Sequence, residues 1–133
     1  MGTVRSFEEL ECWKQAVILR QQIMEIIKKF PQDEKYRLTD QIVRCARSVT
    51  NNIAEGYGRF HYKENAKFCR DSRGSLMELL DHFIIAREIN FVTDEELESL
   101  RAQINRSVAL LNGYINYLLR AKQGSDDNAP DNK

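Results

Sequence analysis

Apolar residues recur every three or four positions along almost the whole chain, the spacing that lines one side of an α-helix. Leu10, Trp13, Val17, Met24 and Ile27 form the first series, with Ala16, Ile23 and Phe30 beside it. Ser6-Phe7-Glu8-Glu9 precedes it as a capping box, in which the Ser6 oxygen accepts from the Glu9 N–H and Glu9 reaches back. Pro31 ends this first helix, and residues 32–35 form a short polar loop. Leu38, Ile42, Cys45, Ala46, Val49 and Ile53 carry the second helix. Gly56 and Gly58 are its expected stop, because glycine takes the left-handed conformation without penalty. The third helix is predicted from residue 62 to about residue 90, through Ala66, Cys69, Leu76, Leu80 and Phe83, with Phe68, Leu79 and Ala86 alongside. Its polar stretch, residues 70–75, is the weak spot, since an interior glycine such as Gly74 costs about 1 kcal/mol relative to alanine. The expected use of Gly74 is to let a neighbouring helix approach. Thr93-Asp94-Glu95-Glu96 is a second capping box, and Leu97, Leu100, Ile104, Leu111, Tyr114 and Leu118 stripe the last helix.

Each predicted helix has roughly 20 to 28 residues, about 30–40 Å at 1.5 Å per residue. Short connections between them make sequential helices antiparallel neighbours. The fold class is therefore all-α, an antiparallel up-down-up-down four-helix bundle over residues 1–121. Residues 122–133 are Gly, Ser, Asp, Asn, Pro and Lys-rich and are expected to be a disordered polar tail. Folding the second and third helices back about Arg59 brings Arg44 level with residues 74–78 and Arg47 level with Asp71. That register predicts that Arg44 or Arg47 pairs with Glu78 or Asp71.

Composition agrees with this reading and narrows it. Two prolines and six glycines in 133 residues leave long stretches without a breaker. Twenty basic residues balance twenty acidic ones, so any basic patch is offset by acid elsewhere. Cys12, Cys45 and Cys69 are odd in number and far apart, which fits neither a disulfide framework nor a zinc motif. They read as small hydrophobes in a reducing cytoplasm. No segment has the apolar core of a secretion signal or a membrane span. The opening Met1-Gly2 sequence fits a lipidation template, but Ser6 is better used as a cap. The Asn105-Arg106-Ser107 sequon falls inside a strong helical repeat.

From Gln41 through Asn52-Ile53-Ala54-Glu55-Gly56-Tyr57-Gly58-Arg59 the chain resembles the four-helix-bundle proteins encoded in intervening sequences of bacterial 23S ribosomal RNA genes. The likeness extends to Phe7-Glu8-Glu9-Leu10-Glu11-Cys12-Trp13, to Phe30-Pro31 and to Gly74-Ser75-Leu76-Met77-Glu78-Leu79. The accessory variability determinant of diversity-generating retroelements shares this superfamily. The resemblance implies a ring-shaped homopentamer without established enzymatic activity. In the retroelement branch it implies an accessory protein that binds a reverse transcriptase and nucleic acid through a basic surface. That branch is strongly basic and this chain is neutral, so the ribosomal intervening-sequence branch fits better.

The residues themselves offer two candidate features. Gln41, Ser48, Asn52 and Glu55 share one flank of the second helix, and with Glu78 they read as a polar seam between helices or subunits rather than a catalytic site. Arg59, Lys63, Lys67 and Arg70 form a candidate nucleic-acid-binding patch, the last three spaced by four and three residues. Arg44 and Arg47 are candidates to extend it, and Tyr57, Phe60 and Tyr62 could stack on unpaired bases. The alternative is a solvated face, with Glu64 and Asp71 partly neutralising it.

Catalysis finds no support in the pattern. A di-iron bundle requires Glu-x-x-His pairs, whereas Leu79 stands three residues before His82. Glu78 and His82 share a face and read as surface hydrogen bonding rather than a metal site. Gly56-Tyr57-Gly58 is too short for a phosphate loop. The expectation is no catalytic residue, no metal and no cofactor. Apolar residues outside the stripes (Val43, Ile84, Ile85, Leu110, Ile115 and Tyr117) predict self-association. Two function classes remain: an oligomer that binds RNA or DNA, and a protein-interaction scaffold such as a reverse-transcriptase accessory protein.

Overall fold

Four helices account for most of residues 5–124, the part of the chain that the computed structural model describes, with side chains described through residue 121. They are α1 (Glu11–Ile26), α2 (Leu38–Tyr57), α3 (Tyr62–Glu88) and α4 (Asp94–Gly124), and no strand occurs among the described residues. α1 packs on α2 and α4, and α3 packs on the same two, so the helices close a four-membered cycle. Polar contacts fix the directions. Cys45 and Ser48 meet Ser75 while Val49 meets Ser72, an antiparallel α2–α3 pair. Gln15 reaches Gln103 and Gln22 reaches Ser99, which makes α1 and α4 antiparallel too. α4 runs to Gly124, a few residues past the start of the tail expected from composition; the rest of that tail lies outside the described residues.

The core is mostly aliphatic through the middle, with Leu19, Ile23, Ile42, Val49, Ile53, Leu76, Leu79, Leu100, Ile104, Leu111 and Leu118, and the ring of Phe83, all nearly inaccessible. Aromatic rings close both ends. Phe7 stands edge-on to Trp13 and Tyr57 at one end, and Phe30 tilts against Phe91 at the other. The buried line on α1 is Cys12, Ala16, Leu19 and Ile23, continued by Ile27 in the 3₁₀ turn that follows, whereas Val17 is half-buried and Met24 is exposed. The series through Val17 and Met24 is thus the flank of the α1 stripe, not its centre. Ile115, read as surface, belongs to the core.

Helix ends follow local chemistry. Thr93 and Glu96 form the full reciprocal box: the Glu96 N–H donates to Thr93 Oγ1 at 3.1 Å and the Thr93 N–H to Glu96 Oε1 at 2.9 Å. The Ser6 sequence behaves differently. Its Oγ accepts from the Glu8 N–H, Glu9 accepts from the Arg5 N–H, and the result is a single 3₁₀ turn before α1 starts anew at Glu11. The expected left-handed glycines after α2 are absent: Gly58 has φ −75° and no described glycine has positive φ. The left-handed cap lies after α3 instead, at Asn90 with φ 64°. There the Phe91 N–H donates to the Ala86 carbonyl and the Asn90 N–H to that of Arg87, the Schellman pattern. Arg87 donates to the Asn90 side chain and holds it in place.

Candidate nucleic-acid interface and polar seam

The outward face of α3 changes character along its length. At about 100° per residue, Lys63, Lys67, Arg70, Gly74, Met77 and Ile85 all fall within an arc of roughly 80°. All six are exposed. The half nearest the α2–α3 turn is therefore basic, whereas the far half sets Met77, 46% accessible, and Ile85, 37% accessible, beside the exposed acids Asp81 and Glu88, which fall in the same arc. Arg59 sits in the turn itself, bonded to Glu55 at 2.8 Å and stacked 4.8 Å from the Phe68 ring centroid. The Lys67 ammonium lies 5.3 Å from the centroid of the same ring and 3.5 Å from Asp71. Lys63 and Arg70 make no ion pair among the described residues.

Aromatic side chains border the basic half. Phe60 and Tyr62 are exposed, and Tyr117 of α4, half accessible, lies 6.4 Å from Tyr62 and stacks with Tyr114 at 6.3 Å. Partial burial and the neighbouring Tyr117 push the Tyr62 phenol up. Tyr57 turns inward instead, half-buried against Phe7. Sequence reasoning grouped Tyr117 with surface apolar residues; only the packing of α4 on α3 brings it to this border.

Of Arg44 and Arg47, the first lies off the basic half. Both are exposed, but the α2–α3 register sets Arg44 level with Met77, beyond the basic half. The predicted cross-helix pair is not made. Arg44 bonds Asp40 of its own helix at 2.9 Å, and Asp71 pairs with Lys67. The predicted level is right to within about two residues, but both arginines are exposed and neither pairs with an α3 carboxylate among the described residues.

A polar seam does join α2 and α3, with a membership that differs from the predicted one. The Ser48 hydroxyl donates to the Cys45 carbonyl at 2.9 Å and contacts the Ser75 hydroxyl at 2.6 Å. A hydroxyl has one proton, so Ser75 is the donor in that second contact. The Cys45 thiol donates to the Ser75 carbonyl at 3.1 Å, and the fully buried Ser72 donates to the Val49 carbonyl at 2.8 Å. Asn52 bonds back to the Ser48 carbonyl. Gln41 and Glu55 are exposed, Glu55 pairing with Arg59. The polar stretch of α3 taken as its weak spot is thus the seam itself. The signal was present: Ser72 and Ser75 are in phase with Cys69, Leu76 and Leu79. The seam continues toward α4, where buried Asn65 donates to the Tyr114 hydroxyl at 3.0 Å and Arg73 to Asn112 at 2.7 Å.

Close approach occurs at Gly56, not at Gly74. A Cβ at Gly56 would lie 2.7 Å from Asn65 Oδ1 and 2.9 Å from both the Asn65 carbonyl oxygen and Phe68 Cβ, whereas one at Gly74 would meet nothing within 4 Å.

At the upper edge of the seam, Cys45, Glu78 and His82 come together, with one ligand-type atom from each within 4.8 Å of the others. His82 is only 8% accessible, and neither ring nitrogen has a hydrogen-bond partner. Its Nε2 is 3.5 Å from Glu78 Oε2, near enough for an ion pair if the ring is protonated but without a hydrogen bond. Burial, and then the Glu78 carboxylate, push the Cys45 thiol up to about 12. Burial also raises Cys69 to about 12 and Cys12 to about 11.

The geometry defines an all-α bundle with a sealed core, an inter-helix polar seam and one two-toned exposed helix face. The profile of the 23S rRNA-intervening sequence protein family matches residues 8–113, from the turn before α1 to about two-thirds of the way along α4. The chain belongs to that family. Among curated proteins no sequence matches it. No helix among the described residues is long and apolar enough to cross a membrane.

Proposed function

We propose that this protein is a non-enzymatic, cytoplasmic oligomer that binds nucleic acid, RNA foremost, along the basic half of the α3 face. One observation carries the reading: Lys63, Lys67, Arg70 and Arg59 stand exposed on one surface that Phe60, Tyr62 and Tyr117 border. Cations attract the phosphates without regard to sequence. Exposed rings supply stacking worth about 1–3 kcal/mol per base. The far half of the same face, with Met77, Ile85 and Ile89, supports self-association. A closed ring would repeat the basic half once per subunit and raise its local potential despite zero net charge. The number five for that ring comes from the superfamily resemblance.

The same far half supports the second reading, a scaffold that docks a protein such as a reverse transcriptase. The two are separated by a Lys63→Glu/Lys67→Glu/Arg70→Glu variant tested for single-stranded RNA binding beside the unaltered protein. The nucleic-acid reading expects at least a tenfold loss of affinity, since three phosphate contacts are removed. Equal binding by both proteins contradicts the assigned surface. Absence of binding tighter than roughly 10⁻⁴ M, the weak end of non-specific association, favours the scaffold.

A further inference from the structure

We propose that Cys45, Glu78 and His82 form a site for one thiophilic divalent transition metal, zinc foremost. Three features of the cluster point there. First, the donor set is sulfur, nitrogen and oxygen from two helices, which suits zinc and excludes the hard cations magnesium and calcium. Second, His82 is more than nine-tenths buried with both ring nitrogens lacking hydrogen-bond partners. Leaving a buried polar group unsatisfied costs about 1–3 kcal/mol; a metal accepting the Nε2 lone pair removes that cost at one nitrogen. Third, the spacing is close to what coordination needs. Ligand atoms around tetrahedral zinc, at bond lengths of about 2.0–2.3 Å, lie roughly 3.4–3.6 Å apart. His82 Nε2 and Glu78 Oε2 are already 3.5 Å apart, and all three atoms lie within 4.8 Å.

The remaining adjustment falls on the movable member. The Glu78 side chain is 63% accessible, so its carboxylate can swing over the buried pair. The same exposure leaves the outer side open to a water as fourth ligand. On binding, the Cys45 thiol gives up its hydrogen bond to the Ser75 carbonyl, its proton passes to solvent, and the sulfur lone pair bonds the metal. Cys12 and Cys69 are buried elsewhere and have no such partners, which makes them internal controls.

The test is titration of the untagged, reduced, metal-free full-length protein with cobalt(II), followed by zinc. The expected result is one cobalt per chain, with a thiolate-to-cobalt charge-transfer absorption that zinc abolishes. Cys45→Ser should remove the absorption, and Cys12→Ala/Cys69→Ala should keep it. Glu78→Gln alters only an exposed side chain and so leaves the bundle folded; it should weaken binding at least ~10-fold, in line with the sensitivity of metal sites to their surroundings. Zinc should raise the melting temperature of the unaltered protein by more than that of Glu78→Gln at the same concentration. The proposal fails if the unaltered protein shows no such absorption, if the absorption survives Cys45→Ser, or if Glu78→Gln binds cobalt as tightly as the parent.

Discussion

Gly56 and Gly74 show how little a residue's type says without its neighbours. Both lie in helices, yet an added methyl would collide with the Asn65 backbone at Gly56 and meet open space at Gly74. Gly56→Ala should destabilise the bundle, because overpacking costs about 1–3 kcal/mol and exceeds the roughly 1 kcal/mol gained in helix propensity. Gly74→Ala should stabilise it by up to about 1 kcal/mol for the same propensity reason. Urea unfolding of the two variants checks the opposite signs; a stabilised Gly56→Ala would refute the close approach of α2 and α3. Sequence periodicity located both glycines but could not tell which one a neighbour touches. The Cys45, Glu78 and His82 cluster was half legible for a related reason. Glu78 and His82 share a helical face by spacing alone, whereas Cys45 stands on another helix and joins them only through the antiparallel register.

At the scale of elements, the sequence was most readable where a single local rule acts. The Thr93 box falls where its capping residues put it, and α3 starts at Tyr62 as expected although neither α2 nor α3 has a side-chain cap; α1 itself stops at Ile26 and a 3₁₀ turn, Ile27–Lys29, covers the approach to Pro31. Thr93→Ala should cost about 1 kcal/mol, the usual loss for a side-chain N-cap, seen as a lower urea midpoint with unchanged slope. An unchanged midpoint would mean the cap adds nothing to the Lys29 contact with Glu96, which holds the same turn through a 2.6 Å bond. Legibility fell where two faces compete. α1 carries apolar residues on several sides, and the buried choice of Leu19 over Met24 is made by its neighbours α2 and α4. Likewise the serines of α3 looked like a defect because polarity alone does not reveal a partner. Across the helix pair, Ser72 and Ser75 meet the Val49 carbonyl and the Ser48 hydroxyl.

For the whole molecule, the organising feature is the exposed face of α3, basic toward the α2–α3 turn and, beyond Gly74, apolar at Met77 and Ile85 with Asp81 and Glu88 between and after them. Apolar groups in that second half predict association, so the protein should scatter light as an oligomer at micromolar concentration. Met77→Lys/Ile85→Lys should shift it toward monomer while leaving helix content unchanged; a parent that is already a stable monomer would refute the assembly. Net charge was a poor guide at this scale. It is zero, yet exposed Asp94, Glu95 and Glu98 stand at the opposite end of α3 from the lysines, about 40 Å away at 1.5 Å per residue. Sequence showed the basic spacing, while the tyrosine border and the level of Arg44 beyond it required the packed bundle.

The most direct measurement is the affinity for single-stranded RNA across a salt series. Each neutralised phosphate on a single strand contributes about −0.7 to the slope of log affinity against log salt. Engagement of Arg59, Lys63, Lys67 and Arg70 of one subunit therefore predicts a slope near −3, and steeper if the strand crosses to the next subunit. A slope near zero, or no measurable binding at low salt, would contradict the proposal that this face holds nucleic acid.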